Sequence, residues 1–104
     1  MANRELMRLA KLAYCSSLGK EVESEWNPLD SDVEAFELKK MLGLELRTYE
    51  NGLDPHQYAS AHYMVNDGYS GWVHEKINGD ATVDIRPVVR RVLVRAAAEI
   101  GKQI

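Results

Sequence analysis

The sequence predicts an α+β domain in the order α-α-β-β-β-α, a small three-stranded antiparallel sheet packed with three helices. Three observations lead to it. Apolar residues recur at helical spacing in two segments near the N-terminus and in one at the C-terminus. Between them the chain alternates and is punctuated by turn formers, as paired strands are. The length, 104 residues, is enough for one core and too short for two, so residues 1–104 are read as a single domain.

In the first segment Leu6, Leu9, Ala10, Ala13 and Tyr14 make one apolar stripe, with Arg4, Arg8 and Lys11 on the other side. Asn3 is placed to cap this helix, and Gly19 stands where a left-handed C-terminal cap belongs. A polar connection ends in Trp26-Asn27-Pro28-Leu29-Asp30. Ser31-Asp32-Val33-Glu34 then has the form of a capping box, in which the serine and glutamate side chains reciprocally satisfy free amides at a helix start. The helix runs to Leu42 and Gly43 ends it, with Ala35, Leu38 and Leu42 on one face and Phe36 directed well away.

Residues 44–49 alternate as a strand does, and Asn51-Gly52 breaks them. Residues 58–65 and 72–77 read as two further strands around the turn formers of 66–71, with a turn centred on Gly68. Asp84 caps the last helix, and Pro87 is tolerated in its first turn. Its stripe, Ile85, Val88, Val89, Val92, Ala96 and Ile100, should bury against the sheet. Arg86 and Arg90 flank one edge of that stripe, and Arg91 and Arg95 the other. Val94 and Ala98 form a second apolar patch on the far side, which with Arg90 and Arg91 predicts a homodimer or higher-oligomer interface.

One cysteine, Cys15, allows no intrachain disulfide, which fits a reducing compartment. The N-terminus lacks a signal-peptide apolar run, and no stretch approaches the ~18 apolar residues of a membrane span. A soluble cytoplasmic protein is expected. The net charge of −3 is unevenly spread: residues 21–54 hold ten acids against Lys39, Lys40 and Arg47, while both ends are basic. Either the ends pair with the middle in the fold, or an acidic surface faces a basic partner.

The sequence offers little for catalysis, and no enzyme activity and no cofactor are expected. There is no glycine-rich phosphate loop and no nucleophile elbow. Cys15 has no general base in its helix. If the turn centres on Gly68, His62 and His74 face each other across neighbouring strands and could share a metal with His56 or a carboxylate, but the spacing is loose and no metal site is assigned. Nucleic acid is disfavoured by the acidic balance. Arg4, Arg8, Arg86 and Arg90 would still make an anion-binding patch for a nucleotide or phosphate if the terminal helices pack together, with Tyr69 and Trp72 available to stack a base.

Two segments carry a resemblance. Trp26-Asn27-Pro28-Leu29-Asp30-Ser31-Asp32, leading into a helix that ends at Gly43, and the closing run from Val88 to Gly101 resemble short phage- and prophage-encoded proteins of the phage ABA sandwich type. The resemblance covers roughly a third of the chain. It implies a sheet layered between helices and phage origin, and it brings no catalytic residues to transfer. Residues 51–71 depart from the pattern. The expectation that follows is an accessory protein that binds and modulates a host protein, anti-defence activity such as anti-CRISPR being one form. Its partner surface is expected at Glu21, Glu23, Glu25, Asp67, Tyr69 and Trp72. A nucleotide-sequestering protein and a phage structural or assembly factor are the alternatives.

Overall fold

The first apolar stripe folds as α1 (Asn3–Leu18), which buries Leu6, Leu9, Ala10, Ala13 and Tyr14 together. Gly19 ends it in the left-handed region at φ +79°, its N–H donating to the Cys15 carbonyl. Asn3 opens the helix, but its Oδ1 accepts from Arg91 Nη1 at 2.9 Å and so ties α1 to the last helix. The computed structural model describes residues 3–22, 25–49, 57–65, 68–77 and 84–104, apart from the side chains of 49 and 57.

The second helix, α2 (Asp32–Leu42), has the predicted caps: the Ser31 hydroxyl accepts from the Glu34 amide, and Gly43 takes φ +65°. One half of the capping box is rerouted. The Ser31 amide is already bonded to the Asn27 carbonyl, so the Glu34 carboxylate accepts from the Asn27 amide instead. Asn27 Oδ1 also accepts from Leu29 N–H, which folds the Trp-Asn-Pro segment into a tight turn. Pro28 is fully buried, and Trp26 stacks on Tyr14 with ring centroids 5.4 Å apart. This segment therefore fastens α2 to α1.

Three strands follow, β1 (Glu45–Tyr49), β2 (Gln57–Met64) and β3 (Ser70–Ile77), antiparallel in the order β1-β2-β3. The last helix, α3 (Arg86–Gly101), closes the chain. The fold is α+β in the order α-α-β-β-β-α, as the periodicities predict. No helix among the described residues is long and apolar enough to cross a membrane.

The layers differ from those the resemblance implies. Among the described residues no helix covers the outer face of the sheet; α3 is the central layer instead. One face of α3 packs Val89, Val92, Leu93 and Ala96 against Ala59, Ala61, Tyr63, Val73 and Ile77 of the sheet. Its other face packs Val94, Ala97 and Ala98 against Leu6, Leu9, Ala10 and Tyr14 of α1 and Leu38 of α2. The reason lies in patterning: an amphipathic α1 needs an apolar surface to bury against, and the second face of α3 supplies it.

That packing corrects the proposed oligomer surface. Val94 and Ala98 are 0% and 1% exposed, covered by α1 of the same chain. Arg90 donates to the Leu29 carbonyl (2.8 Å) and to Asp32 (2.7 Å), and Arg91 donates to Glu75 and Asn3. Arg95 joins Glu75 at 3.0 Å and the His74 carbonyl at 2.8 Å. The basic end thus pairs with the acidic middle at Arg90–Asp32, and α3 is fastened to β3 through Glu75.

Candidate functional site

Register decides what the sheet presents. Val65 N–H donates to the Tyr69 carbonyl and Gly68 N–H to the Val65 carbonyl, so Met64 pairs with Ser70. The turn is centred one residue earlier than Gly68, and every pairing moves by two. His62 lies opposite Trp72, and His74 opposite Ser60. The facing pair His62/His74 is not formed, because this register sets Trp72 opposite His62 and Ser60 opposite His74. Among the described residues no group of three or more His, Cys, Asp or Glu could hold a metal ion, and His56 lies outside them.

A shift of two keeps side-chain parity. Leu46, Ala59, Ala61, Tyr63, Val73 and Ile77 turn toward α3. The opposite parity places Arg47, Tyr58, Ser60, His62, Met64, Trp72, His74 and Lys76 together on the open face. At its centre the Trp72 ring has three neighbours. The Arg47 guanidinium lies over it, 5.1 Å from the centroid. The His62 ring is 4.9 Å away and tilted by 51°, and the His74 ring is 6.4 Å away and nearly parallel. Arg47 is oriented by two bonds to Glu45, at 2.9 and 3.1 Å. His74 is oriented by a hydrogen bond between its Nδ1 and the Ser60 hydroxyl.

The Ser60–His74 contact has the residue types of a nucleophile and its base. Ser60 is only 1% exposed, however, so its hydroxyl is not presented to a substrate and serves to hold the imidazole. Around this core Trp72 (37%), Tyr58 (38%) and Met64 (61%) remain exposed. Arg47, His62, Trp72 and His74 thus form an aromatic and cationic cluster in mutual contact.

Of the residues singled out in the sequence, Trp72, His62 and His74 sit at this centre, and of the expected partner surface Trp72 alone. Tyr69 belongs elsewhere: its ring is 6.2 Å from that of Tyr63, which points to the helix side, so Tyr69 and Trp72 do not form one stacking pair. Glu21 and Glu25 are exposed after α1, remote in sequence from the strands, while Glu23 and Asp67 fall outside the described residues. The four-arginine anion patch is not assembled as a free positive surface. Arg8 pairs with Glu5, Arg86 with Asp84 at 3.0 Å, and Arg90 with Asp32 at 2.7 Å; Arg4 is exposed. The Arg86 side chain and amide hold the Asp84 carboxyl down to about 2. Cys15 is half-buried and free. Arg47, Tyr58 and Ser60 went unnoticed in the sequence, although strand parity with Trp72 was the signal that could have found them.

Burial also tunes Tyr63. It is 6% exposed, and burial, followed by the hydrogen bond with Tyr69, pushes its phenol up to about 12. A folded-state value above the ordinary ~10 means that the fold favours the neutral phenol. The resulting stability is complete below pH ~10 and is lost as pH rises toward 12. Unfolding midpoints measured from pH 9 to 12 should fall, and Tyr63→Phe should flatten that decline; an unchanged slope would contradict the burial of this ring.

No family model, curated protein or solved structure matches this chain.

Proposed function

We propose that this protein is a non-catalytic binding protein that engages a protein partner through the open face of its sheet. In the fuller form of the reading it is a phage-encoded accessory protein acting in the bacterial cytoplasm on a host factor, with anti-defence activity as one form. The observation that carries the binding reading is Trp72, exposed yet braced by Arg47, His62 and His74. Tryptophan, tyrosine and arginine dominate the energetic centres of protein interfaces, and methionine is enriched there. A side chain already fixed before binding loses little rotamer entropy when a partner arrives.

Two features favour a protein over a nucleic acid. The Trp72 face that a base would stack on is occupied by Arg47, which would have to be displaced. The whole chain also carries a net charge of −3, which repels a polyanion. The nucleotide-holding alternative loses support as well, since Arg8, Arg86 and Arg90 already have carboxylate partners.

The test is affinity capture from bacterial lysate with the tagged protein, followed by titration of the captured partner against variants. Trp72→Ala should weaken binding about thirtyfold, the ~2 kcal/mol typical of an interface centre, with the melting temperature kept near wild type. Charge reversal at Glu21 and Glu25 should leave the affinity nearly unchanged. A partner that binds Trp72→Ala as well as wild type, or that is lost on charge reversal alone, would move the interface to the acidic segment.

A further inference from the structure

The helical layer ends in a second feature, which shares with the open sheet face only Met64, at the end of β2. Where β2 finishes, the last turns of α1, α2 and α3 come together around a cavity of about 350 Å³. That volume is at the lower end of the range for small-molecule sites. Ser16 and Ser17 enter from α1, Met41 from α2, Gln103 and Ile104 from the end of α3, and Met64 from the end of β2. No residue lining it carries an ionisable side chain. Met41, Met64 and Ile104 are among the large apolar side chains the fold leaves exposed, at 37%, 61% and 61%, and all three border this cavity. Methionine rims adapt their shape to an apolar guest.

Electrostatics gives the guest a sign. Each helix places about half a negative elementary charge at its C-terminal end, and three such ends meet at one opening. The last turns of α1 and α3 carry no basic side chain to offset this, and Lys102, just beyond α3, is paired with Glu99 at 2.8 Å. Lys39 and Lys40, in the last turn of α2, offset its end although neither lines the cavity, so the ends with no basic side chain in their last turn are those of α1 and α3. The side-chain groups available to a polar head are two hydroxyls and a carboxamide, all able to accept a hydrogen bond. An anionic head meets repulsion here, and an ammonium head is attracted.

We infer that this cavity is a binding site for a small amphiphilic amine, its apolar body against Met41, Met64 and Ile104 and its ammonium head toward Ser16, Ser17 and Gln103. The test uses three chains of equal length, octylammonium, octanol and octanoate, titrated into protein labelled at its methionine methyls and at the isoleucine methyls, and read by NMR. Octylammonium should give saturable shifts at Met41, Met64 and Ile104, with roughly tenfold tighter binding than octanoate. Met41→Lys, a change at an exposed rim position, should weaken octylammonium roughly tenfold and leave the melting temperature in place. Octanoate binding as well as octylammonium, or no saturable shift with any of the three, overturns the assignment. Equal shifts at Met7, which does not line the cavity, mean surface association and overturn it too.

Discussion

Replacing Gly101 with alanine is expected to cost this protein about 3 kcal/mol of stability, at the upper end of the usual overpacking range. The cause is a backbone contact. An alanine Cβ at this position would sit 2.1 Å from the Leu9 carbonyl oxygen and 2.8 Å from its carbonyl carbon. No rotamer change can relieve a clash with a main chain, so α1 and α3 would have to separate. Separation opens the contact between Leu9 and Ala10 on one side and Val94, Ala97 and Ala98 on the other, which are five of the eight buried residues of the second core. Alanine's better helix propensity, up to ~1 kcal/mol over glycine, offsets only part of this. For a domain of this size the net loss lowers the melting temperature by roughly 15 °C. Gly71 supplies the control. A Cβ there would lie 2.6 Å from Tyr63 Oη and 2.8 Å from Cζ, the far end of a buried side chain that can give by small shifts without moving any main chain. Gly71→Ala should therefore cost less, about 1 kcal/mol, when both variants are unfolded in urea. Equal midpoints for the two variants would mean that the α1–α3 approach is looser than described.

This close approach also shows what the sequence made legible and what it did not. Val94 and Ala98 signalled a second apolar patch on the last helix, and the α1 stripe signalled a surface in need of cover. Nothing in either pattern said that the two belonged together, because periodicity identifies a buried face without identifying its partner. Val94 and Ala98 therefore read as a surface for a second molecule, when α1 of the same chain covers them. The strands show the same division. Alternation at 44–49, and the turn formers between 58–65 and 72–77, marked the three strands, but register depends on turn geometry. The bond from Val65 to Tyr69 sets a register that Gly68, despite its positive φ, does not announce. Trp72 could be seen as an exposed aromatic in the sequence. Its contact with Arg47 could not, since it runs diagonally from β1 to β3 over the β2 strand. The capping box was readable at Ser31, while Glu34 was diverted by the fold of the Asn27 turn.

Leu38→Ala should be comparably costly, about 3 kcal/mol, for a different reason. Leu38 is 0% exposed and is the buried side chain that α2 contributes to the core shared with α1 and α3. Cutting it back removes the transfer energy of the lost carbons and leaves a hole whose cost depends on how far the surroundings can close. Here they close poorly. Ala10, Ala97 and Ala98 have no side chain that could move into the space, and Tyr14 is held by its stacking on Trp26. The hole stays open, so the loss belongs well above the lower limit for this kind of truncation. Phe36, on the same helix but 47% exposed, should tolerate alanine within about 0.5 kcal/mol. Urea unfolding of the two variants checks this, and a Leu38→Ala loss below ~1 kcal/mol would mean that α2 is not docked as described. The comparison also separates folding from function. Leu38 lies in the core behind α3, two layers from Trp72, whose position depends on the sheet and on its open face. At a temperature where Leu38→Ala is fully folded it should bind the partner with wild-type affinity, whereas Trp72→Ala should be stable and weak. A Leu38→Ala protein that is folded but fails to bind would place part of the partner surface on the helices instead.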